Sequence, residues 1–217
     1  MVATEFHINT PRLVISHLDS NNDAHGDFLF TLYNTAQNHA RGSGLASREA
    51  ARAKIDSFSH IFTTGYGRYL VSLQPPSPAS SSSPSEIAAT TTAAPLFSQR
   101  SKTLTPIGVV SMHARNFPGA PRAPDVGYGL LPAFRGKGYA AEAAAALVKW
   151  FEENRGQMAF FGFCDEGNEG SKGVLRRIGF EDHGVREFRG LYDAQTVLTG
   201  CVFSKGVSGE LGEWGIK

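Results

Sequence analysis

The sequence has few cysteines and almost equal numbers of basic and acidic residues. Each of these features limits the kinds of protein that the chain can be. Only two cysteines occur among 217 residues, Cys164 and Cys201, each in an apolar stretch. This usage is typical of a reduced intracellular protein with two core thiols, although the two could also pair as a disulfide. The formal net charge is +1, so no global field would attract nucleic acid or an anionic membrane.

Long apolar runs and metal-ligand spacings are also missing. No stretch approaches the roughly 18 apolar residues of a membrane span, and residues 1–7 lack the basic start and apolar run of a secretory signal. The seven histidines show no ligand spacing, which disfavours a zinc or thiol-based site. We therefore expect a soluble cytoplasmic or nuclear protein with no metal, nucleic-acid or membrane partner.

Length and one low-complexity segment define the expected domain organisation. A chain of 217 residues suits one domain with a sizeable core. Between about residues 74 and 100 the chain turns to Pro, Ser, Ala and Thr, with too little apolar bulk to offset the entropy of ordering. We expect a single domain, 1–217, with a disordered insertion at about 74–100, which is tolerable because loop-closure cost rises only logarithmically with length.

The rest of the chain alternates between strand-like and helix-like segments. Helices are expected up to about Ala36, after a cap at Ser47, and at about 140–154 and 170–178. The order strand, helix, buried strand, helix in the second half indicates an α/β fold. Strands are expected at 12–18, 66–73, 107–114, 125–131, 158–164, 183–189 and 197–204, with the segments 107–114 and 125–131 as a hairpin.

The turn before the 140–154 helix carries the clearest chemical signal. Gly136 and Gly138 let the backbone approach a ligand closely. The unpaired N–H groups and dipole of the following helix favour an anion, and Arg135 and Lys137 add positive charge. A phosphate or pyrophosphate site is one interpretation; a tight connection with two solvated cations is the other. A dinucleotide fingerprint does not fit, since Ala141 stands where a third glycine is needed.

The turn and its surroundings resemble a known family. Arg135-Gly-Lys-Gly-Tyr-Ala fits the pattern Arg/Gln-x-x-Gly-x-Gly/Ala of the pyrophosphate loop of the GNAT superfamily of N-acetyltransferases. The flanks at 126–132 and 140–143 are similar to the branch that includes ribosomal-protein N-terminal acetyltransferases. A second motif at 168–180 resembles that branch's Asn-x-x-Ser-x-x-x-Leu-x-x-x-Gly-Phe, and the opening Thr10-Pro-Arg-Leu resembles its first strand. Outside the low-complexity segment the resemblance spans nearly the whole chain.

The resemblance implies both a fold and a co-substrate. The fold would be α/β (α+β), with a mixed, strongly twisted sheet of about six to seven strands, about four flanking helices and splayed central strands. Acetyl-CoA would be the co-substrate, without a metal, and its acetyl group would pass directly to a primary amine of a peptide N-terminus or small molecule. The pantetheine arm would pair with the backbone of Leu130 and Leu131. The pyrophosphate would be held by the amides of Arg135, Gly136, Lys137, Gly138, Tyr139 and Ala140.

The resemblance also sets expectations for the proton transfers. Many GNAT enzymes place a tyrosine in the second motif as donor to the leaving thiolate, but Leu175 stands there. Ser171 is then the preferred contact for the thiolate, or else an ordinary first-turn serine. Glu187 and Asp125 are the candidates for the general base, or else surface carboxylates. Asn168 is expected on the coenzyme side, or as a helix cap alone.

Three functions stay open at this point. The chain could be an active N-acetyltransferase, a coenzyme A-binding regulatory module without turnover, or a scaffold whose Ser-rich insertion recruits partners. The loop 41–47, which should border the acceptor, lacks the acidic cluster that a polycation would need. The branch resemblance favours a peptide α-amine, while neither the acceptor nor the oligomeric state is specified by the sequence.

Overall fold

The computed structural model describes residues 5–40, 42–75 and 97–217, which build one eight-stranded sheet. The strand order is β1-β2-β3-β4-β5-β6-β8-β7, and β5 with β6 is the parallel pair. This mixed sheet confirms the expected fold class and has one strand more than expected. In chain order the strands are β1 (His7–Asn9), β2 (Leu13–His17), β3 (Gly67–Leu73), β4 (Thr105–His113), β5 (Asp125–Leu130), β6 (Phe160–Cys164), β7 (Glu181–Arg189) and β8 (Val197–Lys205).

The sheet opens between β5 and β6, as the splayed strands of the resemblance imply. These strands share one registered pair, Asp125 with Phe161, beside a hydrogen bond of 2.9 Å from the Phe161 N–H to the Pro124 carbonyl. On its other side β5 pairs with β4 from Asp125 to Leu130, the hairpin expected from the sequence. The edge of β5 that faces β6 therefore keeps unpaired backbone groups beyond Asp125.

Helices cover both faces of the sheet because consecutive strand residues point to opposite sides. Tyr69 and Val71 of β3 pack in the main core cluster with the sixth helix, whereas Leu70 between them packs with the first and third helices. In chain order the helices are α1 (Asp23–Tyr33), α2 (Ala36–Ala40), α3 (Arg48–Asp56), α4 (Ile61–Thr64), α5 (Phe97–Arg100), α6 (Tyr139–Arg155) and α7 (Glu169–Arg177).

Local signals define α6 and α3 well. α6 begins after Gly138 and ends at Gly156, whose φ of +61° is the left-handed conformation that glycine adopts most easily. The buried stripe of α6 includes Leu147 and Phe151, and both are fully buried. α3 begins after Ser47, whose hydroxyl accepts a hydrogen bond from the Ala50 N–H, as expected of a cap.

The structure adds short elements to those expected and describes only the ends of the expected insertion. β1 and α4 were not expected, because three or four residues show no measurable periodicity. Of the disordered insertion expected at 74–100, residues 76–96 lie outside the described residues. Its two ends are ordered: the Gln74 side-chain amide donates to the Thr10 carbonyl at 3.0 Å, and Phe97 is buried at the start of α5.

Gly108 offers a test of the β4–β5 ladder. A Cβ added there would lie 2.6 Å from the Gly129 carbonyl oxygen and would also clash with the Leu130 side chain. Because the backbone oxygen cannot rotate away, we expect Gly108→Ala to lower the free energy of unfolding by about 1–3 kcal/mol in urea denaturation. Gly173→Ala is the control, since its added Cβ meets nothing within 4 Å. The control should gain about 0.5–1 kcal/mol, and equal stability of the two variants would contradict the register.

Candidate active site

A cleft of about 820 Å³ lies where β5 and β6 diverge. One wall is formed by the turn before α6 and by the first turns of α6 and α7. The lining also includes Leu32 and Asn38 of the α1–α2 region, Phe163 of β6 and Tyr192 after β7. The cleft is thus lined by helix starts, by the α1–α2 region and by strands of the sheet.

The turn before α6 has the conformation that its glycines permit. Gly136 has a φ of +74° and Gly138 a φ of +81°, both in the left-handed region that other residues adopt at a cost. A Cβ at Gly136 would meet nothing within 4 Å, so a ligand can approach the backbone. Gly138 is the N-cap of α6 and has no side chain to satisfy the first amides. Those N–H groups and the helix dipole favour an anion at this wall.

Arg12 and Glu142 brace this turn from outside the cleft. The Glu142 carboxylate accepts hydrogen bonds from the Thr10 hydroxyl at 2.6 Å, the Arg12 N–H at 3.0 Å and Arg12 Nε at 2.6 Å. Arg12 Nη1 donates to the Lys137 carbonyl at 3.0 Å, and the guanidinium lies 4.6 Å from the centroid of the Tyr139 ring. The brace thus ties the start of β2 to both the turn and the first turn of α6.

The surroundings of Glu142 favour the ionised form of its carboxylate. Partial burial favours the neutral acid, but the hydrogen bonds from Thr10 and Arg12 outweigh it and lower the pKa of Glu142 below its ordinary value. Sequence reasoning assigned no role to Arg12 or Glu142, although both lie in segments that carry the family resemblance. Their pairing joins residues 130 positions apart, which no local pattern indicates.

The two cations of the turn occupy different places. Arg135 lines the cleft, and its Nε donates to the Leu130 carbonyl at 3.0 Å. Lys137 lies with its ammonium nitrogen 5.7 Å from the centroid of the Phe134 ring, and it is not part of the cleft lining. The structure thus brings Arg135, Gly136, Gly138, Tyr139 and Ala140 together at one wall, with Lys137 behind them.

The two leucines expected to pair with the coenzyme differ in orientation. The Leu131 N–H donates to the Ile107 carbonyl of β4 at 2.9 Å, so it is not free to pair with a ligand. The Leu131 side chain packs toward α1 and α3. Leu130 lines the cleft, and because neighbouring residues in an antiparallel strand face opposite edges, its backbone faces the gap. Of the two, only Leu130 fits the expected role.

The first turn of α7 belongs to the same wall of the cleft as the start of α6. Asn168 is the N-cap, and its side-chain oxygen accepts a hydrogen bond of 3.0 Å from the Ser171 N–H. The Ser171 carbonyl in turn accepts a hydrogen bond of 2.9 Å from the Tyr128 hydroxyl of β5. All three residues line the cleft. Leu175 is fully buried, and its side chain fills the space that a Cβ at Gly162 would need, so this position serves the core.

Asp125, one of the two candidate bases, has a carboxylate that is already paired. Its carboxylate receives Arg115 Nε at 2.8 Å and Arg115 Nη2 at 3.2 Å, and His113 Nδ1 lies 3.8 Å away. Burial favours the neutral acid, but the nearby His113 ring and the hydrogen bonds from Arg115 outweigh it and lower the pKa of Asp125. Asp125 also lies outside the cleft lining. The assignment of Asp125 as a base stays a prediction, and the geometry adds no support to it because the charge is already paired with Arg115.

Glu187, the other candidate base, lies on β7 outside the cleft lining, although the next residue, Phe188, belongs to that lining. The Glu187 side chain is exposed, and its backbone exchanges hydrogen bonds of 3.1 and 2.9 Å with Lys217. Its registered neighbour on β8, Thr199, lines the cleft, whereas Glu187 does not. The assignment of Glu187 as base therefore stays a prediction, and the geometry adds no support to it.

The cysteines are free thiols that face each other as registered partners of β6 and β8. Burial, followed by the proximity of Cys201, raises the pKa of Cys164 to about 11. Cys164 lines the cleft but is protonated at neutral pH, so it is a poor nucleophile. Within the described ranges, we find no cluster of three or more His, Cys, Asp or Glu side chains that could hold a metal ion. None of the described helices is long and apolar enough to span a membrane.

The family assignment follows from residues 12–181, which match the family model described as the acetyltransferase (GNAT) domain. This chain belongs to the GNAT acetyltransferase family. The match includes the braced turn, the splayed strands and α7. As a GNAT protein the chain is an acyltransferase that uses acetyl-CoA, which confirms the expectation from the two sequence motifs.

Solved GNAT structures share this fold over almost their whole length. A protein described as a ribosomal-protein-serine acetyltransferase from Vibrio cholerae has a TM-score of 0.63 and 19% identity, with 94% of this chain and 98% of that chain covered. The ribosomal α-N-protein acetyltransferase RimL in complex with coenzyme A has 0.60 and 15%, with 92% and 97% covered. The microcin self-immunity acetyltransferase MccE with acetyl-CoA and AMP has 0.60 and 15%, with 91% and 94% covered. Comparison with curated proteins gives no match.

The brace leads to a prediction about acetyl-CoA affinity. Arg12→Ala removes the hydrogen bonds to Lys137 and Glu142, so the turn loses its preorganised shape. We expect the KM for acetyl-CoA to rise about ten-fold and kcat to change less than about two-fold in steady-state assays. The control is Arg48→Ala, which breaks the exposed Arg48–Asp27 pair of 2.7 Å instead. An unchanged KM for Arg12→Ala would show that the turn holds its shape alone.

A second prediction separates pairing from catalysis at Asp125. Asp125→Asn should lower the free energy of unfolding by roughly 2–3 kcal/mol at neutral pH, with kcat of the folded fraction retained. Because the folded-state pKa is depressed, this stability is present above about pH 4 and is lost as pH falls further. The difference between wild type and variant should therefore shrink on acidification in urea titrations.

The control for this titration is Asp27→Asn, which breaks an exposed pair and should cost less than about 0.5 kcal/mol. Loss of turnover in Asp125→Asn without loss of stability would support Asp125 as the general base.

Proposed function

We propose that this GNAT protein transfers the acetyl group of acetyl-CoA to the α-amine of a peptide by direct attack in a ternary complex. The observation that carries the proposal is the turn with two left-handed glycines at the start of α6, where bare amides face a cleft between splayed strands. Pyrophosphate is the anion whose size and charge suit that wall, and a thioester arm suits the gap beyond it.

In the coenzyme half of the site, backbone groups would make more of the contacts to the ligand than side chains. Amides between Arg135 and Ala140 would hold the pyrophosphate, and Arg135 adds charge beside them. The edge of β5 that faces the gap offers partners for the amides of the pantetheine arm. At Leu130 the carbonyl already accepts from Arg135 Nε, so the Leu130 N–H is the group left for the arm. The thioester would then lie along the gap toward Ser171, where backbone donors and position, rather than a covalent intermediate, lower the barrier.

The acceptor half has a different character. Leu32, Gln37, Asn38, Phe163 and Tyr192 form an apolar and amide surface, and none of these five side chains carries a charge. The lining also holds two carboxylates, Asp165 and Glu169, both near the start of α7. A peptide N-terminus offers a cationic amine to them and amides and apolar side chains to the uncharged surface. The descriptions of RimL and the Vibrio cholerae relative as ribosomal-protein acetyltransferases favour the same class of acceptor.

The chemical step needs two proton movements. The neutral amine attacks the thioester carbonyl, the carbon–sulfur bond breaks, and the sulfur leaves with the bonding electrons and takes up a proton. The amine nitrogen loses one proton to solvent or to Glu187 through water. Ser171 is the polar side chain proposed to meet the departing sulfur, and it acts from the rigid first turn of α7.

Calorimetry with coenzyme A tests the binding half of the proposal. Arg135→Glu should weaken coenzyme A binding by at least about ten-fold, because it places a negative charge at the pyrophosphate wall. Lys149→Glu makes the same change of charge on the exposed side of α6 and should leave binding unchanged. No heat with coenzyme A in the folded wild type would contradict the assignment.

Acceptor assays test the transfer half. Wild-type protein with acetyl-CoA should release thiol with peptides that have a free N-terminus, and not with the same peptides already acetylated at that N-terminus. Polyamines should give at most slow release. Tight coenzyme binding without thiol release from any amine would favour the regulatory, non-catalytic alternative.

A further inference from the structure

Tyr128 connects the two sides of the splayed gap. It lies on β5, its ring packs against the main core cluster, and its hydroxyl reaches the first turn of α7. The hydrogen bond to the Ser171 carbonyl is 2.9 Å long and joins residues 43 positions apart. No sequence motif assigns Tyr128 a part in the reaction, and Leu175 leaves the usual tyrosine position without a hydroxyl.

The backbone of Ser171 is held at both of its polar groups. Its N–H donates to the Asn168 side chain at 3.0 Å, and its carbonyl accepts from Tyr128. The first carbonyls of a helix already have helical partners, so an additional donor is not needed for helix formation. Both hydrogen bonds are made by backbone atoms of Ser171, and neither involves its side-chain hydroxyl. Ser171 is therefore fixed in position while its side chain can serve a ligand.

The phenol is well suited to act as a permanent donor. Burial, as the largest influence, raises the pKa of Tyr128 above its ordinary value, and the nearby Cys164 adds to the rise. The hydroxyl therefore keeps its proton throughout the physiological range. The bond from β5 to α7 does not depend on pH where the enzyme works.

We propose that Tyr128 is a positioning residue for acetyl transfer, which holds Ser171 at the distance from β5 that the thioester requires. The inference rests on the proposed role of Ser171 and adds the group that sets its position. The coenzyme would lie along β5, whereas the Ser171 hydroxyl belongs to α7. The hydrogen bond from Tyr128 to the Ser171 carbonyl connects these two elements directly. An error of a fraction of an ångström in that spacing affects the transition state more than the binding of the coenzyme.

A double-mutant cycle tests this role. Tyr128→Phe removes only the hydroxyl, and we expect kcat to fall about ten-fold while the KM for acetyl-CoA stays within about two-fold. Ser171→Ala should also lower kcat, and in that background Tyr128→Phe should cause no further loss. Tyr66→Phe is the matched control, since its hydroxyl contacts Gln157 at 3.4 Å outside the cleft lining, and its kcat should not change.

The outcomes separate the two claims. If Ser171→Ala is slow but Tyr128→Phe has normal kcat, or if the two losses multiply, the positioning role is overturned and the role of Ser171 stands. If Ser171→Ala turns over at the wild-type rate, the proposed contact with the thiolate is wrong, and so is the positioning role that depends on it. A thermal unfolding midpoint for Tyr128→Phe that matches wild type, together with the kcat loss, excludes a general loss of folding.

Discussion

The whole site depends on the divergence of β5 and β6 after a single registered pair. β5 is fully paired with β4 on one edge, so its other edge presents backbone groups that need partners. The same divergence places the starts of α6 and α7 on one side of the gap, where their amides point toward a ligand. An anion at one end and an extended amide-rich arm along the strand satisfy both requirements at once.

Side-chain hydrogen bonds hold each helix start beside that gap. Arg12, next to β2, and Glu142 hold the turn before α6, and Tyr128 of β5 with Asn168 holds the first turn of α7. The charges act locally: the chain carries a net charge of +1, and anion recognition comes from oriented amides and from Arg135 in the turn before α6. Because the helix starts are already held in place, a small number of contacts is enough to fix the geometry of a bound ligand.

Sequence patterns predicted the parts of the fold with strong local signals. The long helix was placed within one residue of Tyr139–Arg155, because glycines mark both ends. Edge orientation was harder: Leu130 and Leu131 could not be distinguished, since a shift of one residue exchanges the two edges of a strand. The pairing of Asp125 with Arg115 and the bond from Tyr128 to Ser171 arise from tertiary contacts, which periodicity and motif spacing do not report.

The central claim is that backbone amides around Gly136 and Gly138 bind the coenzyme. Amide NMR spectra during titration with coenzyme A test it most directly, because each glycine N–H reports on its own hydrogen bond. The account predicts the largest shifts at Gly136, Gly138 and the first amides of α6, with further shifts along β5. Shifts confined to the separate cavity beside His25 and Lys102, or no shifts in a well-folded sample, would contradict it.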